Sequence, residues 1–243
     1  MKIVFFGSSH GVPEPNRKCS SIMLETGEKR YLIDVGTDVT EQLITRNIPL
    51  KEISAIFVTH MHGDHVNGLI PFVNLCNWAY KDADPQIFLP GDVDAAKAAV
   101  EAWLRCLNSV SLREFRYEQV KCGQVYDDGV IKVTAFATKH IAASYAYLVE
   151  AEGKRVLFSG DLSAHPQVDF PREVFEQPVD LAICESAHFE ATEYLPIFQG
   201  NENLKRLCFN HYSDRHLASV LTMKNLLPEL SVLIAKDGNE ITL

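Results

Sequence analysis

Short apolar runs, each ended by a small or polar residue, set the rhythm of this chain. Ile3-Val4-Phe5-Phe6 stops at Gly7, and runs near 20–25 and 30–34 meet around Gly27. Ile53-Ser54-Ala55-Ile56-Phe57-Val58 is apolar almost throughout, as befits a buried strand. The pattern predicts strands at 2–6, 20–25, 30–34, 53–59, 87–89 and 114–119, with helices near 37–46, 66–81 and 92–107. In the second half, Val130 to Ala137, Ser144 to Glu150 and Arg155 to Ser159 read as a meander, with Glu152-Gly153-Lys154 as its hairpin turn. Strands at 180–184, 206–209 and 232–235 follow, with a helix near 214–226 before the last. Strands dominate each half and helices flank them, which predicts an α/β fold of two sheets packed face to face with helices outside. No low-complexity tract, long Gly/Ser linker or short repeat interrupts the chain, so residues 1–243 read as one domain.

Composition narrows the function. A 47% hydrophobic share predicts a soluble globular protein with a sizeable core, and a mean hydropathy of -0.04 agrees. The net charge of -9 argues against a basic nucleic-acid face, whereas bound divalent metals make one cavity locally positive and suit a small anionic substrate. The six cysteines form no CxxC pair, so neither a disulfide framework nor a zinc knuckle is expected. The first apolar run is too short for a signal peptide and no segment reaches membrane-spanning length, so the expected location is the cytoplasm, without a membrane partner.

The candidate chemistry sits directly after the strand at 53–59. Thr59-His60-Met61-His62-Gly63-Asp64-His65 packs three imidazoles and a carboxylate into six residues, more donors than one ion with an open position takes, and the surplus argues for two ions. His60 and His62 point the same way in an extended segment, while Gly63 lets Asp64 and His65 face a second position. His140, Asp161 and His211 close three further predicted strands, so four strands deliver ligand-type residues to one edge. Each of the three taken alone has a plain structural reading as a core or surface histidine or a turn-capping aspartate; together with the cluster at 60–65 they read as a metal site.

These residues resemble the metallo-beta-lactamase superfamily: His60-Met61-His62-Gly63-Asp64-His65, then a single His, an Asp in Ser-Gly-Asp, and a late His. The resemblance covers nearly the whole chain and implies a four-layer αββα sandwich, with His60, His62 and His140 on one ion, Asp64, His65 and His211 on the second, and Asp161 bridging them. It implies that Asp34 supports the ligand loop, where the alternative is an aspartate at a helix N-terminus. Within the superfamily the chain looks most like the phosphodiesterase branch that holds ribonuclease Z and the cyclic-phosphate phosphodiesterases of phosphonate metabolism. Phe6-Gly7-Ser8-Ser9-His10-Gly11-Val12-Pro13, the stretch His140 to Tyr147, His211-Tyr212-Ser213-Asp214-Arg215 and Asp237-Gly238 carry that likeness. Too few residues separate His140 from Asp161 for the tRNA-gripping arm of the common bacterial ribonuclease Z, although Glu185 matches that enzyme's glutamate. The structural-zinc cysteine cluster of the phosphonate enzymes has no counterpart beyond Cys19.

Two divalent ions, zinc with manganese or iron(II) as alternatives, would lower the pKa of a bridging water and yield a hydroxide nucleophile. Asp64 is expected to orient it, and Ser144, Ser213 and Arg215 are candidate donors to a phosphodiester. His188, His10 and His216 are candidates for protonating the leaving group, with His188 preferred because it follows the strand ending at Glu185. The expected substrate is a small nucleotide, a cyclic phosphate or an RNA end. The alternatives are a thioesterase or lactonase using the same hydroxide, and a metal-binding sensor without turnover. The apolar helix Leu69 to Tyr80 reads as a core helix or as the face of a homodimer.

Overall fold

The computed structural model describes residues 1–12, 14–36, 39–106 and 112–243. One seven-stranded sheet has the order β14 (Glu240–Thr242), β1 (Lys2–Gly7), β2 (Ser21–Thr26), β3 (Lys29–Ile33), β4 (Ile53–Phe57), β5 (Gln86–Leu89), β6 (Arg116–Gln119). The other runs β13 (Ser231–Ile234), β12 (Arg206–Tyr212), β11 (Leu181–Ser186), β10 (Lys154–Phe158), β9 (Tyr145–Ala151), β8 (Lys132–Ala137), β7 (Gly123–Asp127). Their facing sides share one core, in which Phe5, Tyr31 and Phe57 meet Val133, Tyr147, Phe158 and Ile183.

Helices α1 (Val39–Thr45), α2 (Gly63–Val66), α3 (Leu69–Trp78) and α4 (Val93–Cys106) follow strands of the first sheet. Val39, Leu43, Phe72, Val73 and Leu104 pack on its outer face against Val4, Leu32, Ile56 and Val58. In the second half, α5 (Pro166–Asp169), α6 (Leu195–Phe198) and α7 (Leu217–Leu226) cover the other sheet, with Phe198, Val220 and Met223 packed against Leu157, Leu207 and Phe209. The expected four layers are therefore present. Strand β4 shows why its sequence is nearly all apolar: Ala55 and Phe57 face the inter-sheet core while Ile56 faces the helices.

Several local expectations shift. The helix expected near 66–81 is the shorter α3, separated from α2 where Gly68 turns its N–H to the Val35 carbonyl. A Cβ there would stand 2.1 Å from the Gly36 carbonyl oxygen, so the close approach of two backbones requires glycine. Residues 37, 38 and 107, at the ends of two other expected helices, lie outside the described residues. Strands β7 and β14 escape the periodicity. In β7 the pairing with β8 shifts register between Gln124 and Tyr126, which breaks the alternation. Strand β14 offers one apolar residue, Ile241, and exists through pairing with β1. His211 lies within β12, not beyond the strand's end. The apolar residues Leu69, Phe72, Val73 and Cys76 of α3 are buried in the core, and Trp78 is exposed. Among the described residues no helix is long and apolar enough to cross a membrane.

The Phe57 ring joins the two sheets, stacking 4.8 Å from Phe88 and lying 5.4 Å from Tyr126 and 5.9 Å from Tyr147. Phe57→Ala is expected to cost about 3–5 kcal/mol of stability by urea denaturation, and a loss below about 1 kcal/mol would show that the core collapses into the space.

Candidate metal centre

Strand direction brings the site together. Strands β3 and β4 are parallel, as are β10, β11 and β12 among themselves. Strand β8 is antiparallel to β9, itself antiparallel to β10, so β8 points the same way as β10. The carboxyl ends of all these strands gather at one edge, where ligand-bearing loops of open sheets meet. The chain after β4 stays extended through His62 (φ -66°, ψ 148°) and turns helical at Gly63. That change brings the His65 ring to 4.1 Å from the His60 ring and sets Asp64 beside His65.

The predicted ligands converge. His62 Nδ1 lies 3.0 Å from His60 Nε2 and 3.1 Å from His140 Nε2. Asp64 Oδ2 lies 3.3 Å from His65 Nε2 and 3.7 Å from His211 Nε2. Asp161 stands between the two sets. Its Oδ2 is 3.5 Å from His60 Nε2 and 3.7 Å from His140 Nε2, while its Oδ1 is 3.4 Å from His65 Nε2 and 3.3 Å from His211 Nε2. Ligand atoms of His60, His62, His140 and Asp161 all lie within 4.8 Å of one another, as do those of Asp64, His65 and His211. His65 Nε2 and Asp161 Oδ1 are buried and lack any hydrogen-bond partner, a costly state for polar atoms that a coordinated cation relieves. Imidazole nitrogens and carboxylate oxygens in this mixture suit a divalent metal ion.

The electrostatics agree. Burial, reinforced by the neighbouring His65, pushes His60 down to about 2, so its ring is neutral and free to coordinate. Burial pushes His65 the same way, but Asp161 and Asp34 outweigh it and raise it well above the usual range. Burial opposes the charged form of Asp161, yet His211 and His65 hold its carboxyl well below the usual range. The Asp34–His65–Asp161 side of the cluster thus draws positive charge.

Carboxylates behind these side chains hold their loops in place. Asp34, buried and in the left-handed region (φ 60°), accepts the Thr59 N–H at 2.7 Å and lies 2.7 Å from His65 Nδ1, which leaves Nε2 facing the site. Asp169, which the sequence did not single out, accepts Lys139 N–H and Ser163 N–H at 2.6 Å each, binding the loop before His140 to the loop after Asp161. Gly160 supplies the turn into Asp161 at φ +57°, where a Cβ would stand 2.7 Å from the Tyr145 carbonyl oxygen. Glu185 accepts Leu162 N–H at 2.6 Å and Ala187 N–H at 2.9 Å, and its Oε2 lies 2.8 Å from His188 Nδ1. Asp161, Glu185 and His188 also cluster, but these bonds occupy the Glu185 oxygens and leave it a poor metal ligand.

The remaining candidates separate clearly. His188 Nε2 lies 3.9 Å from Asp161 Oδ2, and although burial opposes it, the Glu185 bond raises His188 to about 9. His10, Gly11, Val12, Ala187 and His188 line a cleft of about 290 Å³ over Asp64, Asp161 and His211. Ser213 is buried and its hydroxyl has no partner. Ser144 spends its hydroxyl within its own loop, 2.7 Å from Thr138 Oγ1 and donating to the Thr138 carbonyl at 3.1 Å. Arg215 is exposed and does not line the cleft. His216 is buried away from it, with Nδ1 3.0 Å from the Ser186 carbonyl oxygen.

Comparison with known proteins places this architecture. A ribonuclease Z of Rippkaea orientalis is 31% identical over 158 residues, covering 63% of this chain and 49% of that protein. The chain thus spans about half the length of the curated relatives it matches. The metallo-beta-lactamase fold protein YhfI of Bacillus subtilis superposes with a TM-score of 0.79 at 18% identity, over 99% of this chain and 98% of its own. A diphosphatase of the PhnP family gives a TM-score of 0.69 at 19% identity, over 100% and 97% of the two chains. At such identities these structures speak for the fold alone, which is that of the metallo-beta-lactamases. The family model described as "Anti-Pycsar protein Apyc1" matches residues 1–218, and the chain belongs to that family.

Proposed function

We propose that this protein is a metal-dependent phosphodiesterase whose cluster holds two divalent cations, one on His60, His62 and His140 and the other on Asp64, His65 and His211, with Asp161 between them. The observation that carries the reading is the division of Asp161: Oδ2 faces His60 and His140 while Oδ1 faces His65 and His211. Zinc suits the donors, and manganese or iron(II) would fit the same oxygen and nitrogen set. Such ions, when bound, neutralise phosphodiester charge and acidify water.

The chain's own residues supply the rest. Asp64 accepts a hydrogen bond from, and so orients, the attacking water on the His65 and His211 side. His188, its Nδ1 held by Glu185, protonates the leaving oxygen through Nε2. Ser213, two residues after His211, is buried with an unpartnered hydroxyl and does not line the cleft. Asp34 and Asp169 hold the ligand loops in place.

Cleft size and charge favour a compact substrate. Its volume is about 290 Å³, and among the described residues that line it there is no lysine or arginine of the kind that tracks a polynucleotide backbone. A small nucleotide, a cyclic phosphate or the end of an RNA meets those limits. The segment between His140 and Asp161, where the common bacterial ribonuclease Z carries its arm, contains β9 and β10. The names of two relatives, a ribonuclease and a diphosphatase, accord with chemistry at phosphorus.

The direct test is hydrolysis of bis(p-nitrophenyl) phosphate by protein of assayed metal content, beside Asp64→Ala and a panel of esters and thioesters. Two metals per chain and turnover lowered at least about 100-fold in the variant are expected, since even groups that only hold metal ligands are worth 10–100-fold. Inactivity on the phosphodiester with two metals bound, together with turnover of a thioester or lactone, would replace this reading with a carbonyl hydrolase.

A further inference from the structure

Glu14 and Arg17, which belong to no ligand motif, fasten the loop after β1 to the end of β12. The Arg17 side chain is 12% exposed and pairs with Glu14. It donates to the Ser8 carbonyl at 2.5 Å and to the Tyr212 carbonyl at 2.7 Å. Its guanidinium carbon stands 3.9 Å from the Tyr212 ring centroid, and Nη1 reaches Asp214 Oδ1 at 3.1 Å. Glu14 Oε1 accepts the Asp214 N–H at 2.7 Å and lies 3.2 Å from His10 Nε2, on the cleft wall. The two side chains therefore grip the backbone immediately after His211.

His211 needs such a grip for two reasons. Its φ of 53° is in the left-handed region, which a histidine rarely adopts unless its surroundings enforce it. Its Nδ1 has no hydrogen-bond partner, whereas His65 has Asp34 at the equivalent nitrogen. A coordinating histidine is ordinarily oriented by a partner on its second nitrogen. At His211 that device is missing among the described residues, and the backbone, with the His65 ring packed 4.7 Å away, aims Nε2 towards Asp161 at 3.3 Å and Asp64 at 3.7 Å.

We propose that Arg17 and Glu14 are the positioning residues of His211: by holding the Tyr212 carbonyl and the Asp214 amide they fix its backbone, and so set the affinity of the cation position built by Asp64, His65 and His211. The proposal rests on the two-cation reading above. Neither residue lines the cleft, and the His60–His62–His140 position is predicted to be indifferent to both.

The test strips the full-length protein of metal with a chelator and titrates it with Co2+, following the visible spectrum and the binding heat. Wild type is compared with Arg17→Met, Arg17→Lys and Glu14→Gln. Wild type is expected to take two Co2+. Arg17→Met and Glu14→Gln are expected to keep one affinity unchanged and to weaken the other about 10–100-fold, with a matching change in one of the two spectra. Arg17→Lys, which retains one of the carbonyl contacts, should fall between. A purely architectural role would weaken both positions together, and that result, or two unchanged affinities, would overturn the proposal. A wild type that takes only one Co2+ would instead overturn the two-cation reading and the proposal with it. Should Arg17→Met fail to fold, Glu14→Gln, which alters charge but not size, carries the same comparison.

Discussion

Asp161→Ala is expected to remove at least one metal ion per chain and to lower phosphodiesterase turnover on the order of 10³-fold or more, equivalent to about 4 kcal/mol of transition-state stabilisation. The expectation follows from geometry that no other described residue shares: one buried carboxylate presents each oxygen to a different pair of imidazoles. Removing it leaves His60 and His140 facing His65 and His211 with no anion between them, so the positive charge of two adjacent cations would lack its shared counter-charge. Asp161→Asn separates the two roles of the side chain. It preserves shape but lacks the charge, and should retain more metal than the alanine variant while remaining far less active than wild type. Metal analysis after dialysis decides the matter, and an unchanged two-metal content in Asp161→Ala would sink the bridging role.

His188→Ala is expected to show a loss that depends on the leaving group. With a diester that expels an alkyl alcohol, turnover should fall about 10²–10⁴-fold, because an alkoxide needs a proton as it departs. With bis(p-nitrophenyl) phosphate, whose leaving group departs readily as an anion, the loss should be slight. Glu185→Gln should repeat the pattern more weakly, since it leaves the His188 ring in place but removes the carboxylate that orients it and favours its protonated form. An equal loss with both leaving groups would remove His188 as the proton donor and make it a binding or packing residue.

The two experiments address different levels of the same site. Asp161 is held by turns on either side, Gly160 before it and the Asp169-bound loop after it, so its placement depends on β10 and α5 together. His188 is hydrogen-bonded through Nδ1 to Glu185, at the end of β11. Loss of the first should dismantle the centre. Loss of the second should leave the metals bound and change only how the leaving group is handled.

Much of this was readable in the amino-acid order. The near-continuous apolar run of β4 followed at once by Thr59 and the His-rich segment places a donor cluster at a strand end, because local periodicity and residue chemistry are both short-range properties. His140 and Asp161 were likewise visible as polar residues closing apolar runs. The supporting role of Asp34 came from resemblance, and its bonds to Thr59 and His65 show how a carboxylate there can act. The late start of the helix after the motif was hidden, since Gly68 turns its N–H to Val35, a residue on another loop.

Sequence alone thus determined most of the strands, the kinds of donor near their ends and the αββα layering, for these follow from hydrophobic period and chain order. Tertiary structure decided which polar groups remain free. Ser144 is consumed inside its loop, His216 is packed against the Ser186 carbonyl, and Ser213 is left with an unpartnered hydroxyl. It also decided which residues hold the site, through hydrogen bonds as distant along the chain as Arg17 to Tyr212, 195 positions apart. A local pattern carries no record of such a partner, because the partner is set by how two sheets close on one another and not by spacing along either strand.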